Sequence, residues 1–115
     1  MIASAYETII DQGADWYINF VCLDPDDVPI DFTGATAALQ LRSLPDDAIS
    51  VLTLTTENGG ITITPLEGLI AVHATAEQTE AIITGIYYYD VEVYVSSTTT
   101  RIIQGQITVS AQVTR

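Results

Sequence analysis

Apolar and polar residues alternate one by one through four long stretches of this chain. Between Asp15 and Leu23, Trp16, Ile18, Phe20 and Cys22 fall on one side, with Tyr17, Asn19 and Val21 on the other. From Ala35 to Ser43, Ala37, Leu39 and Leu41 oppose Thr36, Ala38, Gln40 and Arg42. From Ile86 to Val95, Tyr87, Tyr89, Val91, Val93 and Val95 oppose Tyr88, Asp90, Glu92 and Tyr94. In Arg101 to Val113, Ile103, Gly105, Ile107, Val109, Ala111 and Val113 alternate with Gln104, Gln106, Thr108 and Ser110. A period of two is the mark of a strand with one buried and one wet face.

Shorter elements fill the intervals. Ala3 to Ile10 predicts a first strand stopped by Asp11-Gln12-Gly13, and Asp24-Pro25-Asp26-Asp27-Val28-Pro29 predicts a solvated turn. Pro45-Asp46-Asp47 breaks the chain again, and Val51 to Thr55 alternates briefly. Asn58-Gly59 is the strongest two-residue hairpin signal, so Ile61 to Thr64 is expected to pair back on Val51 to Thr55. Pro65-Leu66-Glu67-Gly68 then turns into Leu69 to Ala74. Only Thr75 to Ile83 reads as helical, with Thr75 as N-cap, Gln78 in capping-box register and Gly85 as the stop. The polar segment Ser96 to Thr100 is expected to be the loop of a final long hairpin. Gly34 and Gly105 are expected at a bend or bulge, where a missing Cβ permits positive φ or close backbone approach.

About eight strands with one short helical crossover, in a single domain spanning residues 1–115, predict an all-β, two-layer antiparallel β-sandwich, with a closed barrel as runner-up. The size matches an immunoglobulin-like domain of about 100 residues. The disulfide of antibody domains is not available, because Cys22 is the only cysteine; in an apolar strand it reads as a small core residue. Composition agrees: 16 Thr, 15 Ile and 9 Val are β-branched residues that favour a pleated surface over a helix.

Charge narrows the partners. Fifteen acids face Arg42, Arg101 and Arg115, no lysine occurs, and the net charge is -12. Such a surface repels phosphate backbones, so neither nucleic acid nor an anionic membrane is an expected partner. No apolar run approaches the ~20 residues of a membrane helix. No basic region precedes an apolar stretch at the start, so no secretory signal is expected.

Little in the sequence points to turnover. His73 is the only histidine and lies on the polar side of Ile70-Ala71-Val72-His73-Ala74, where a solvated or hydrogen-bonded strand residue is expected. One His and one Cys cannot make a zinc site. Asp24, Asp26, Asp27 and Asp31 place several oxygens close together but lack EF-hand spacing and its glycine. Asp90 and Glu92 share a strand face, and Arg42 is placed to pair with either across a sheet. Asn58-Gly59-Gly60 does not open a helix, so it is no phosphate loop. No catalytic residue, cofactor or metal is therefore expected. Tyr17, Tyr88, Tyr94, Arg42 and Arg101 are the candidates for a protein interface, since exposed tyrosine and arginine are enriched there. Tyr87, Tyr88, Tyr89 and Tyr94, with Trp16 and Tyr17, are also expected to suit an aromatic platform for sugar, which keeps a carbohydrate-binding module as an alternative.

Three stretches carry a resemblance. They are Asp11-Gln12-Gly13-Ala14-Asp15-Trp16; Ile30 to Ala37 followed by Leu39-Gln40-Leu41-Arg42; and Gly85 to Val93 followed by Arg101 to Ser110. In order and spacing they resemble the immunoglobulin-like domain at the N-terminus of bacteriophage baseplate upper proteins and tail-fibre anchoring proteins. The resemblance runs from about Glu7 to the end. It implies a virion structural domain, assembled in the host cytoplasm and present in multiple copies. It would contact tail, baseplate, neck or fibre subunits, without catalysis. Longer members continue into a fibre or receptor-binding region, whereas this sequence stops at Arg115. That favours an anchor, adaptor or capsid-decoration role over receptor recognition.

Overall fold

The computed structural model describes residues 4–5 and 8–113. Alternation becomes two sheets packed face to face. The strands are β1 (Ser4–Ala5), β2 (Thr8–Asp11), β3 (Trp16–Val21), β4 (Thr36–Arg42), β5 (Leu52–Thr55), β6 (Ile61–Thr64), β7 (Leu69–Ala74), β8 (Gly85–Val95) and β9 (Thr98–Ser110). The large sheet runs β1-β9-β8-β4-β5, with β2 also on β9, and the small sheet runs β3-β7-β6. The chain is an all-β sandwich.

One face of each sheet supplies the core. Ala37, Leu39 and Leu41 on β4, Tyr87, Tyr89, Val91 and Val93 on β8, and Ile107 and Val109 on β9 point inward from the large sheet. Trp16, Phe20, Ile61, Ile70, Val72 and Ala74 meet them from the small sheet. The intervening polar residues face water, as the period of two requires.

Several expectations change. The predicted strand Ala3 to Ile10 consists, within the described residues, of β1 and β2; Ala3, Tyr6 and Glu7 lie outside them. Both pieces pair with β9 in parallel and in one register, Ser4 with Ile103 and Thr8 with Ile107. The large sheet is thus mixed, not purely antiparallel. A first strand that lies on the last cannot be joined to it by a hairpin, so its direction is set by tertiary packing.

Asn58-Gly59 makes no hairpin. β5 pairs with β4 in the large sheet, whereas β6 pairs with β7 in the small one. The chain crosses between layers here. Gly59 takes φ 83, but Asn58 is not in the left-handed region a type I′ turn needs. Its side chain instead braces the corner: Oδ1 accepts from the Thr55 and Gly60 N–H groups at 2.9 Å each, and Nδ2 donates to the Thr53 carbonyl at 3.0 Å.

The polar segment Ser96 to Thr100 is mostly strand. Val95 pairs with Thr98, leaving a two-residue turn with Ser96 at φ 54. The irregularity expected near Gly105 falls at Ile102, the extra residue between the pairs Val91–Ile103 and Glu92–Arg101. This bulge turns both Ile102 and Ile103 inward, and Arg101 outward beside Glu92. Gly34, by contrast, does take positive φ, at 79°.

The helix α1 (Ala76–Glu80) is shorter than Thr75 to Ile83, but its capping box forms. Thr79, completely buried, ties it to the β2–β3 turn. Its Oγ1 accepts from the Gly13 N–H at 3.0 Å and donates to the Ala14 carbonyl at 2.8 Å. Gln12 adds a second link, donating to the Ile82 carbonyl at 2.8 Å and accepting from the Gln112 N–H at 3.1 Å. Just beyond, the buried Tyr87 donates its hydroxyl proton to the Ile83 carbonyl.

Gly68 and Gly34 both hold positive φ but differ in surroundings. A Cβ on Gly68 would meet the Cys22 carbonyl oxygen at 2.5 Å, whereas one on Gly34 would meet nothing within 4 Å. Gly34→Ala should therefore lose about 1 kcal/mol and Gly68→Ala roughly 3 kcal/mol of unfolding free energy in urea titrations. Tyr87→Phe leaves the Ile83 carbonyl without its hydroxyl partner and should lose about 1–2 kcal/mol in the same assay.

Candidate functional site

The outer face of the large sheet gathers four of the five candidate residues. On β8, Tyr88, Asp90, Glu92 and Tyr94 point outward, and antiparallel register sets Arg42 opposite Tyr88, Gln40 opposite Asp90 and Ala38 opposite Glu92. From the other side, β9 brings Gln106 beside Tyr88, Gln104 beside Asp90 and Arg101 beside Glu92. Tyr17 is not part of this group. It lies on β3 in the small sheet, on the far side of the sandwich, 70% exposed.

Around Tyr88 and Asp90 the face sinks into an open cleft of about 370 Å³, lined chiefly by Gln40, Arg42, Pro45, Arg101, Gln104 and Gln106. Arg42 builds one wall. It donates from Nη2 to Gln40 Oε1 at 2.6 Å and from Nη1 to the Asp47 carbonyl at 3.0 Å, which fastens the β4–β5 loop carrying Pro45. Leu44 N–H donating to Asp47 Oδ2 at 3.1 Å closes the same loop. The expected pairing of Arg42 with Asp90 or Glu92 does not form. Arg101 takes that place, its Nε 3.2 Å from Asp90 Oδ2. The Ile102 bulge brings Arg101 to this face, and alternation alone gives no sign of the bulge.

Electrostatics on the face follow from crowding. Asp90 is held above the ordinary carboxylate value, chiefly by desolvation and then by Glu92, with Arg101 and Arg42 pulling the other way. Tyr94 is likewise pushed up by burial and by Glu92, whose Oε1 accepts its hydroxyl proton at 3.3 Å.

The small sheet presents a different surface. Outward from it stand Tyr17, Asn19 and Val21 of β3, Leu69, Ala71 and His73 of β7, and Thr62 and Thr64 of β6. No carboxylate lies on this face within the strands, although the chain has fifteen. At its rim Asp15 Oδ1 lies 3.2 Å from His73 Nε2, and His73 stacks on Tyr17 with ring centroids 4.3 Å apart. His73 is thus a hydrogen-bonded strand residue, as expected.

The acidic turn has a backbone role. Asp24 Oδ1 accepts from the Asp26 and Val28 N–H groups at 2.8 and 3.0 Å. Asp31 accepts from the Thr33 N–H and hydroxyl, which lowers its pKa. Among the described residues, no three His, Cys, Asp or Glu side chains are grouped to hold a metal. Cys22 is buried and its thiol pKa is raised by desolvation, in keeping with a core residue.

Sequence reasoning missed the cleft amides Gln40, Gln104 and Gln106. Their place on polar faces was visible, but their convergence depends on the β4-β8-β9 order. The sequence matches no protein-family model, and no curated protein is significantly similar to it.

A raised carboxylate pKa binds extra protons in the folded state, so its contribution to stability is present in acid and lost as pH rises above 3.8. Asp90→Asn removes that loss. Urea midpoints measured from pH 3 to pH 7 should be equal for the two proteins at the acid end, with the Asn variant gaining relative to the native chain toward neutrality.

Proposed function

We propose that this chain is a non-catalytic bacteriophage virion domain with an immunoglobulin-like sandwich. It works in the tail, baseplate or neck, anchoring fibres or bridging subunits through protein–protein contacts. The single observation that carries a docking role is the carboxylate-free strand surface on the outer face of the small sheet. On a chain of net charge -12, eight outward strand positions without a carboxylate form a surface suited to a protein partner. Tyr17 and Val21, 70% and 61% exposed, are its protruding apolar groups.

Strand order supports the immunoglobulin-like reading. β5-β4-β8-β9 opposite β3-β7-β6 corresponds to C′-C-F-G opposite B-E-D. Tyr87 gives independent support, because a tyrosine at the start of strand F bonding a carbonyl a few residues upstream is the tyrosine corner of such domains. Buried Tyr89 then stands two residues on, at the position antibody domains give to cysteine. The virion setting rests on the resemblance of the three stretches around Asp11, Ile30 and Gly85. With it go partners among tail, baseplate, neck or fibre subunits, and no role for nucleic acid or membrane.

Mass spectrometry of purified particles tests the reading. The chain should be present at far fewer copies than the major capsid protein; a one-to-one ratio would move it to the head as a decoration protein, and absence from particles would refute a virion role. Val21→Asp should lower incorporation at least tenfold while changing stability by no more than about 0.5 kcal/mol, as expected for an exposed position.

A further inference from the structure

The cleft on the large sheet combines a concave shape with a dense set of polar side chains around one aromatic ring. None of the large exposed apolar side chains lines it. Its walls carry amides, a carboxylate and two guanidiniums around an aromatic ring. Its volume of about 370 Å³ falls within the ~300–1,000 Å³ range of small-molecule sites.

We propose that this cleft binds a neutral saccharide, with Tyr88 as the stacking ring and Gln104, Gln106 and the Asp90–Arg101 pair as the groups that read its hydroxyls. A sugar ring has an apolar C–H face and a rim of hydroxyls, each both donor and acceptor. Tyr88, half-buried between Arg42 and Gln106, supplies the aromatic surface. Each glutamine amide has donors and an acceptor to match hydroxyls. Gln106 makes no side-chain hydrogen bond among the described residues. Asp90 uses Oδ2 for Arg101, leaving Oδ1 to accept a hydroxyl proton, while the guanidinium retains further donors.

Neutrality of the ligand follows from the charges present. Arg42 and Arg101 are offset locally by Asp90 and the neighbouring Glu92, and the protein as a whole is strongly negative. An acidic sugar meets no net positive field, and a cationic one meets Arg42 and Arg101 at the walls. The Arg42-fastened loop holds Pro45 in place before any ligand arrives, which reduces the ordering needed on binding.

The site is independent of the virion assignment, because it lies on the opposite sheet from the docking face. Its test uses the full chain on an array of neutral and uronic-acid-containing bacterial surface glycans, followed by two-dimensional amide NMR titration with the neutral oligosaccharide giving the strongest signal. Binding should shift the amides of Tyr88–Asp90 and Gln104–Gln106. Tyr88→Ala and Gln106→Ala should each weaken it at least tenfold, with the remaining amide spectrum preserved, while Tyr17→Ala leaves it unchanged. The proposal is overturned by an array without neutral-glycan binding, by preference for uronic-acid glycans, by shifts confined to the small sheet, or by full affinity in folded Tyr88→Ala and Gln106→Ala proteins.

Discussion

Two sets of apolar side chains, one from each sheet, must be kept facing each other, and the β4-β8-β9 ladder is what keeps them so. β8 lies in the middle of the large sheet and pairs along its length with β9 and over seven residues with β4. Its inward residues Tyr87, Tyr89, Val91 and Val93 belong to the same buried core as Ile70 and Val72 of the small sheet. A one-residue slip of β8 would send Asp90 and Glu92 into that core and Tyr89 and Val91 into water, so register here is held by burial. The same register sets Tyr88 and Asp90 between Arg42, Gln40, Gln104 and Gln106. Core and cleft are the two sides of one ladder.

The elements that were legible in the sequence share a cause. Trp16 to Cys22, Ala37 to Leu41 and Tyr87 to Val93 each have one buried face, and side-chain burial writes itself into the order of residues. The Thr75 capping box was legible for a different reason, since donor and acceptor lie three residues apart and close locally. Asn58-Gly59 misled because the same residues that favour a tight hairpin also favour a corner. Asn58 spends its side chain on Thr53, Thr55 and Gly60, and the partner of β5 is decided by β4.

The site was legible in kind more than in arrangement. Tyr88, Tyr94, Arg42 and Arg101 belong to one face, but the sequence does not place Tyr17 on the other sheet. Arg101 reaches Asp90 because the extra residue Ile102 shifts its phase, and no composition signal marks that bulge. The lack of carboxylates on the strands of the small sheet was hidden for the same reason: Tyr17 and His73 are fifty-six residues apart and meet only through the pairing of β3 with β7. A surface that joins β3 to the distant β6 and β7 has no local motif.

The parallel pairing of the first and last strands gives the fold a mechanical polarity. Ser4 sits beside Ile103 and Asp11 beside Ser110, so the leading segment enters at one end of the sandwich and the trailing segment leaves at the other. Tension applied along the chain at these two points pulls the strands past each other lengthwise. It loads the hydrogen bonds between them together in shear; a hairpin pulled at its open ends would unzip one bond at a time. Such a clamp resists stretching most strongly along the line of the two paired strands.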